Sequence, residues 1–138
     1  LWAIMGSPLI MGCDLRKASE ETKKTLLNKD LIAINQDLES RGAYVIKPLP
    51  DSYNENEAFT LVKPLADGDL AIGIFNFSDT QRELSLEFWD MGIPYAAGVS
   101  LALHDCITGE ELGEFTERFA PVVPSHGCVV VRAHLVEK

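Results

Sequence analysis

Three places in this sequence carry residue types able to do chemistry: Asp14, the trio His104-Asp105-Cys106, and the trio His126-Gly127-Cys128. His and Cys are the usual ligands of zinc, but structural zinc sites gather four ligands at close spacing. Within each trio the His and Cys stand two apart, so on a strand both share a face. A four-ligand site would also need His104 and His126 side by side on neighbouring strands. We therefore expect core thiols and rim imidazoles, with no metal site and no cofactor-binding site. His126-Gly127 suits a turn into a final strand. No Ser-His-Asp order, Gly-rich phosphate loop or basic-aromatic face is present, and Asp14 has no partner carboxylate nearby in sequence.

The elements that would position these residues begin with the first quarter, Leu1 to Asp37. Leu9-Ile10-Met11 is an apolar run ended by Gly12 and Cys13, which predicts a strand buried on both faces. Ser19 is placed to cap a helix, and Glu20 and Glu21 put negative charge in its first turn, where the helix dipole favours it. Asn28 stops that helix. Asn28 or Asp30 starts a second short one, with Leu31 and Ile34 at helical spacing and Ile32 on the flank. A strand followed by a helix is half of a βα unit, which cannot close a sheet alone.

After Asp37 the polar run Glu39-Ser40-Arg41-Gly42 reads as a linker, and from Ala43 the period changes to two. Tyr44 to Lys47 is a short strand closed by Pro48-Leu49-Pro50, and Asp51 to Asn56 an exposed loop. Ala58 to Lys63 alternates, with Phe59 and Leu61 on one side, Thr60 and Val62 on the other. Asp67-Gly68 predicts a hairpin, because glycine supplies the positive φ of a tight connection. It leads into Leu70 to Phe77, apolar on both faces like a central strand. Ser78-Asp79-Thr80 turns the chain into Glu83 to Phe88, a strand with Leu84, Leu86 and Phe88 inward. Trp89 and Met91 are expected to extend the core. Further strands are expected over Val99 to Asp105, Leu112 to Phe115, Phe119 to Val123 and Cys128 to His134. Seven or eight short strands with regular turns predict an antiparallel β-sandwich or barrel.

Lys and Arg number 12 against 21 Asp and Glu, a net charge of −9, and the charges are dispersed. Phosphate-backbone binding needs clustered basic residues, so nucleic acid is excluded as a partner and an anionic membrane surface gains no support. No stretch reaches the roughly 20 apolar residues that span a bilayer. Cys13, Cys106 and Cys128 are an odd count without a CxxC pair. Buried free thiols and a cytoplasmic location are the expectation. A Cys106–Cys128 disulfide in a secreted parent is the alternative.

Trp2, Ser7-Pro8-Leu9, Asp14-Leu15-Arg16, Ser19-Glu20-Glu21-Thr22, Leu27-Asn28 and Ala33-Ile34-Asn35-Gln36-Asp37 occur in one order at close spacing. Together they resemble the end of the catalytic barrel in α-galactosidases (melibiases), glycoside hydrolases of the family 27/36 type in clan D. The resemblance continues more weakly through Lys63-Pro64-Leu65-Ala66-Asp67-Gly68-Asp69, Phe75-Asn76 and His126-Gly127, as in that family's C-terminal β-domain. One departure is local: the family continues Asn-Gln-Asp with Pro-Leu-Gly, whereas Leu38-Glu39-Ser40-Arg41-Gly42 follows here, so the exit from the barrel is expected to turn differently.

The resemblance implies a mainly β chain. Residues 1–42 would be the last strand and helices of a (β/α)8 barrel, with Leu1 to Met5 the tail of a barrel helix, and residues 43–138 an antiparallel β-sandwich. It implies a retaining mechanism with two aspartates, both expected N-terminal to Leu1, so no catalytic residue is carried over onto this chain. Asp14 follows a strand end, where such barrels place chemistry, but the Asp-Leu-Arg step reads as a structural turn. The expected partner is the catalytic barrel of the same parent, through which alone an α-galactoside substrate would be met. This fragment would be structural and inactive by itself. Two alternatives are a carbohydrate-binding module, for which Trp2, Tyr53, Trp89 and Tyr95 are the stacking candidates, and a homo-oligomerisation surface of the parent. Trp89 reads as core and Tyr53 as the better candidate for exposure. Residues 1–37 are expected to pack on the sandwich or pair with another chain, since they would otherwise leave apolar surface in water.

Overall fold

The computed structural model describes residues 1–14, 16–46 and 57–137. Three short helices come first: α1 (Trp2–Met5), α2 (Glu20–Leu26) and α3 (Lys29–Asn35). Ser19 caps α2 by accepting the Thr22 N–H at 3.1 Å, and Asn28 caps α3 by accepting that of Leu31 at 3.0 Å. The strands described are β1 (Tyr44–Val45), β2 (Ala58–Pro64), β3 (Leu70–Asn76), β4 (Arg82–Glu83), β5 (Leu86–Glu87), β6 (Val99–Asp105), β7 (Glu111–Phe115), β8 (Arg118–Phe119), β9 (Val122–Val123) and β10 (Gly127–Glu137). Six form one antiparallel sheet in the order β1-β2-β3-β10-β6-β7. Two ribbons, β4–β9 and β5–β8, form the opposing layer. The chain is mainly β, with the antiparallel sandwich that the spacing of strands and turns predicts.

Strand β3 sits between β2 and β10, and both its faces are covered. Ile72 and Ile74 point into the sandwich core with Val62, Leu86, Phe88, Leu101 and Val131. Ala71 and Phe75 point the other way, where with Leu61 and Val130 they meet Ile4 of α1 and Ile34 of α3. The first quarter therefore packs on the outer face of the sheet. At the far end of β3 the fully buried Asn76 ties the two layers together. Its amide donates to the carbonyls of Val123 at 3.1 Å and Pro124 at 3.0 Å, while its oxygen accepts the Ser78 N–H at 3.0 Å. The Asp67-Gly68 hairpin forms as expected, with Gly68 at φ +88°.

Several expectations are corrected. Leu9-Ile10-Met11 is neither strand nor buried: it is irregular, and Ile10 is 79% exposed. A parallel strand needs a neighbour to share its ladder, and among the described residues none lies beside it. The single strand expected over Glu83 to Phe88 is split into β4 and β5, which pair with different partners. Pro121 on the facing chain accepts from the Leu84 N–H at 3.1 Å but has no N–H to return, so the ladder breaks there. Phe88 then opens a 3-10 turn, Phe88–Met91, which ends strand alternation. Phe88 stays in the core and Met91 packs against it, but Trp89 turns outward and is 61% exposed. Cys13 is exposed, whereas Cys106 is buried and Cys128 half-buried, and all three are free. The strand expected over Tyr44 to Lys47 is described only as Tyr44–Val45. Pro48 to Pro50, and the loop carrying Tyr53, lie outside the described residues.

Two residues fix how closely the helices approach. Lys63 is 1% exposed, and its ammonium donates to the carbonyl of Ile34 in the last turn of α3. Those terminal carbonyls lack intrahelical partners and carry the negative end of the helix dipole. Gly73 lies beneath α1: a Cβ there would stand 2.7 Å from Phe75 Cε2 and 3.2 Å from Ile4 Cδ1. The Phe75 ring stacks on Phe59 with centroids 5.2 Å apart, so it has little room to yield. Gly73→Ala should lower stability by about 1–3 kcal/mol through overpacking. Lys63→Met, which keeps the stem and strands the Ile34 carbonyl, should lower it by about 1–3 kcal/mol. Urea unfolding midpoints measure both, and a variant as stable as the parent would contradict the assigned contact.

Candidate functional site

Several polar residues that carry the family resemblance act as fasteners between the helical segment and the sandwich. Asn35 donates its amide to the Ser7 carbonyl at 2.9 Å, holding the segment that leaves α1. Asp37 accepts the Ala66 N–H at 3.0 Å and the Glu39 N–H at 3.0 Å, which joins the end of the first quarter to the β2–β3 hairpin. Asn28, besides capping α3, donates to the Cys106 carbonyl at 2.7 Å. The segment Lys63 to Asp69 answers from the sandwich side. Lys63 reaches Ile34, and Asp67 and Asp69 both bind Arg132 on β10, the latter at 2.6 Å from its Nε. His134 adds a contact to Asp69 at 2.6 Å. Burial works against ionising Asp69, yet hydrogen bonds from Arg132 and His134 outweigh it and hold the carboxyl below the usual range. Alternation alone could not reveal this cluster, because Asp69 and Arg132 are far apart in sequence.

The candidate chemical residues are kept apart. Asp14 lies at the surface, where Arg16 grips both its oxygens at 2.9 Å and 3.1 Å. The Arg16 side chain, and then its backbone N–H, lower the Asp14 pKa. That is the wrong direction for a proton donor at neutral pH. His104 bridges Asp30 of α3 at 3.2 Å and Glu111 of β7 at 2.7 Å. His126 instead meets Asp79 at 3.0 Å. Burial raises the Cys106 pKa to about 11 and that of Cys128 in the same direction. Burial thus keeps both further from the nucleophilic thiolate than a free cysteine. The two trios thus serve as core thiols and rim imidazoles.

Among its exposed residues the first quarter offers a group of large apolar side chains. Leu1, Trp2, Leu9, Ile10, Met11, Leu26 and Leu27 are each at least 40% exposed. Leu1, Trp2, Leu9, Ile10, Leu26 and Ile32 line a cleft of about 390 Å3. An apolar surface of this breadth marks a contact face. Of the remaining aromatics, Trp89 and Tyr95 stack outside the sandwich with ring centroids 6.1 Å apart.

An antiparallel β-sandwich with a helical segment packed on its outer sheet defines the class of domain. Residues 55–133 match the family model described as the α-galactosidase C-terminal β-sandwich domain, and residues 1–37 match that described as α-galactosidase A. The chain belongs to the α-galactosidase family, as its C-terminal part. A curated relative named "probable alpha-galactosidase", from Dictyostelium discoideum, is 34% identical over 134 residues, covering 95% of this chain and 33% of the relative. The structure of α-galactosidase I from Mortierella vinacea superposes with a TM-score of 0.83 at 25% identity, covering 96% of this chain and 33% of that one. A family 27 β-L-arabinopyranosidase from Geobacillus stearothermophilus gives 0.79 at 25% identity, covering 96% and 28%. The chain thus spans about a third of the length of the relatives it matches.

The His104 bridge makes the seating of α3 depend on pH. Hydrogen bonds to Asp30 and then Glu111 raise the His104 pKa. A raised folded-state pKa contributes stability that is full below the unfolded value, about 6.5. That stability is lost as pH rises through the folded value. Urea midpoints should therefore fall as pH rises from about 6.5 through the folded-state value, and His104→Gln should remove that part of the fall. An unchanged pH profile in His104→Gln would show that the bridge contributes nothing.

Proposed function

We propose that this chain is the C-terminal accessory part of a retaining glycoside hydrolase whose full length cleaves terminal α-linked galactosyl residues. Residues 1–42 complete the (β/α)8 catalytic barrel, and residues 43–138 form the sandwich that braces it. The observation that carries this reading is the apolar outer face of the first quarter, held on the sheet by Lys63, Asn28 and Asp37. Its natural occupant is the rest of the barrel, which would remove that surface from water at a gain of about 25 cal/mol per Å2. Catalysis would need two carboxyl groups about 5 Å apart flanking the scissile bond, and we assign neither of them to this chain. Its substrate would be met only through the parent, and the likeness to both α-galactosidases and a β-L-arabinopyranosidase leaves the sugar to residues of the barrel. The odd count of three cysteines without a CxxC pair is the ground for proposing a reducing, cytoplasmic setting for the parent.

Two measurements test this reading. The isolated chain should show no turnover of a chromogenic α-galactoside, and turnover would overturn the placement of the catalytic pair. In the parent enzyme, Ile10→Asp on the outward apolar face should destabilise the barrel by several degrees in thermal unfolding, whereas the same substitution should leave the isolated chain's stability within about 0.5 kcal/mol. Equal effects in both would mean that the barrel does not cover this face.

A further inference from the structure

The outward stacking of Trp89 on Tyr95 has no role in seating the helices, because it lies in the other layer. Phe88, the neighbour of Trp89, packs into the sandwich core, while α1 and α3 cover the opposite face of the six-stranded sheet. Two large aromatics left 61% and 58% exposed side by side are unusual for residues that hide so much apolar area when buried. The two ring planes lie 29° apart with their centroids separated by 6.1 Å. We propose that the Trp89–Tyr95 pair is a binding platform for a neutral saccharide.

The chemistry of the rim selects that ligand. Glu87, Glu117 and Asp90 lie close enough to the Tyr95 phenol to act on it electrostatically. Ser85 holds Glu87 through a hydrogen bond of 2.9 Å. Carboxylates accept hydrogen bonds from sugar hydroxyls, and the C–H face of a pyranose, weakly positive, matches the negative face of an aromatic ring. The same carboxylates would repel uronates and sulfated sugars, which sets anionic saccharides aside. A few placed polar groups around an apolar surface is the usual build of a small-ligand site.

The platform is also fixed in advance. The Phe88 N–H donates to the Glu117 carbonyl at 2.9 Å, and the Ile93 N–H to the Phe88 carbonyl at 3.1 Å. Tyr95 opens a second 3-10 turn after Pro94, closed by the Ala97 N–H on the Pro94 carbonyl at 2.9 Å. Both ring-bearing backbones are thus held before any ligand arrives, which reduces the ordering that binding would require.

This inference deepens the carbohydrate-module alternative and rests on no step of hydrolysis, so it fails or stands separately from the parent's turnover. The test is a 1H–15N NMR titration of the full chain with methyl α-D-galactopyranoside, raffinose and maltotriose. The two tryptophans give two indole N–H signals, and Trp2 is the internal control. The expected result is a saturable shift of the Trp89 signal with at least one saccharide, with Trp2 unmoved. Trp89→Ala should abolish the binding, followed by backbone amides of residues 87–98, and Trp89→Phe should restore part of it. The amide spectrum of each variant reports whether the fold survives. An unmoved Trp89 signal with all three sugars would overturn the proposal, as would binding that survives Trp89→Ala. A response to tetramethylammonium and to no sugar would also overturn it, identifying the pair as a cation site.

Discussion

The arrangement depends on one buried cation. Lys63 stands on β2, on the face turned away from the sandwich core, and with 1% of its surface exposed it has no water to solvate its charge. A strand lysine can be buried only if something with negative character is brought to it. Helix α3 supplies that at its C-terminal turn, where carbonyls have no intrahelical partner. The helix must therefore end over β2, and not elsewhere on the sheet. With the end of α3 so fixed, Ile34 falls among the apolar residues of the outer sheet face, and Gly73 leaves room for Ile4 of α1 to descend beside it.

The same constraint explains why the motif residues are fasteners and not reagents. Asn28, Asn35 and Asp37 flank or end α3 and satisfy backbone groups of Cys106 just after β6, of the segment after α1 and of the β2–β3 hairpin respectively. Each satisfies a polar group at the junction of the helical segment with the sheet, where an unmet partner would be costly. Their side chains are engaged with backbone and aimed inward across the junction. Asp14, the residue best placed by type for chemistry, is instead locked to Arg16 at the surface. In an accessory domain, residues kept in fixed order can thus serve attachment alone, and the outward apolar face is what the attachment presents.

Local sequence was a good guide wherever a single element decides its own geometry. The caps at Ser19 and Asn28, the Asp67-Gly68 hairpin and the alternation of β2, β6 and β10 all depend on residues within a few positions of one another. It misled where the outcome depends on a distant partner. The strand reading of Leu9-Ile10-Met11 is sound as to composition and fails for want of a neighbour. The break between β4 and β5 is caused by Pro121, far along the chain. Trp89 reads as core from the strand before it, yet the 3-10 turn begun at Phe88 rotates it outward. The Asp69–Arg132–His134 cluster left no trace in spacing because its members meet only through the pairing of β3 with β10.

What the sequence determined by itself is the class of the chain: short alternating strands with turns, two capped helices, dispersed acidic charge, and a set of motif residues whose order resembles one hydrolase family. The strands, turns and capped helices are consequences of backbone preference and periodicity, which act over a few residues. Tertiary structure decided which face of β3 meets which layer, that a lysine is buried and the apolar run Leu9-Ile10-Met11 is not, and that two aromatics stack in water. Each of these depends on pairing between segments tens of residues apart, where burial and hydrogen-bond satisfaction across the whole fold outweigh any local preference.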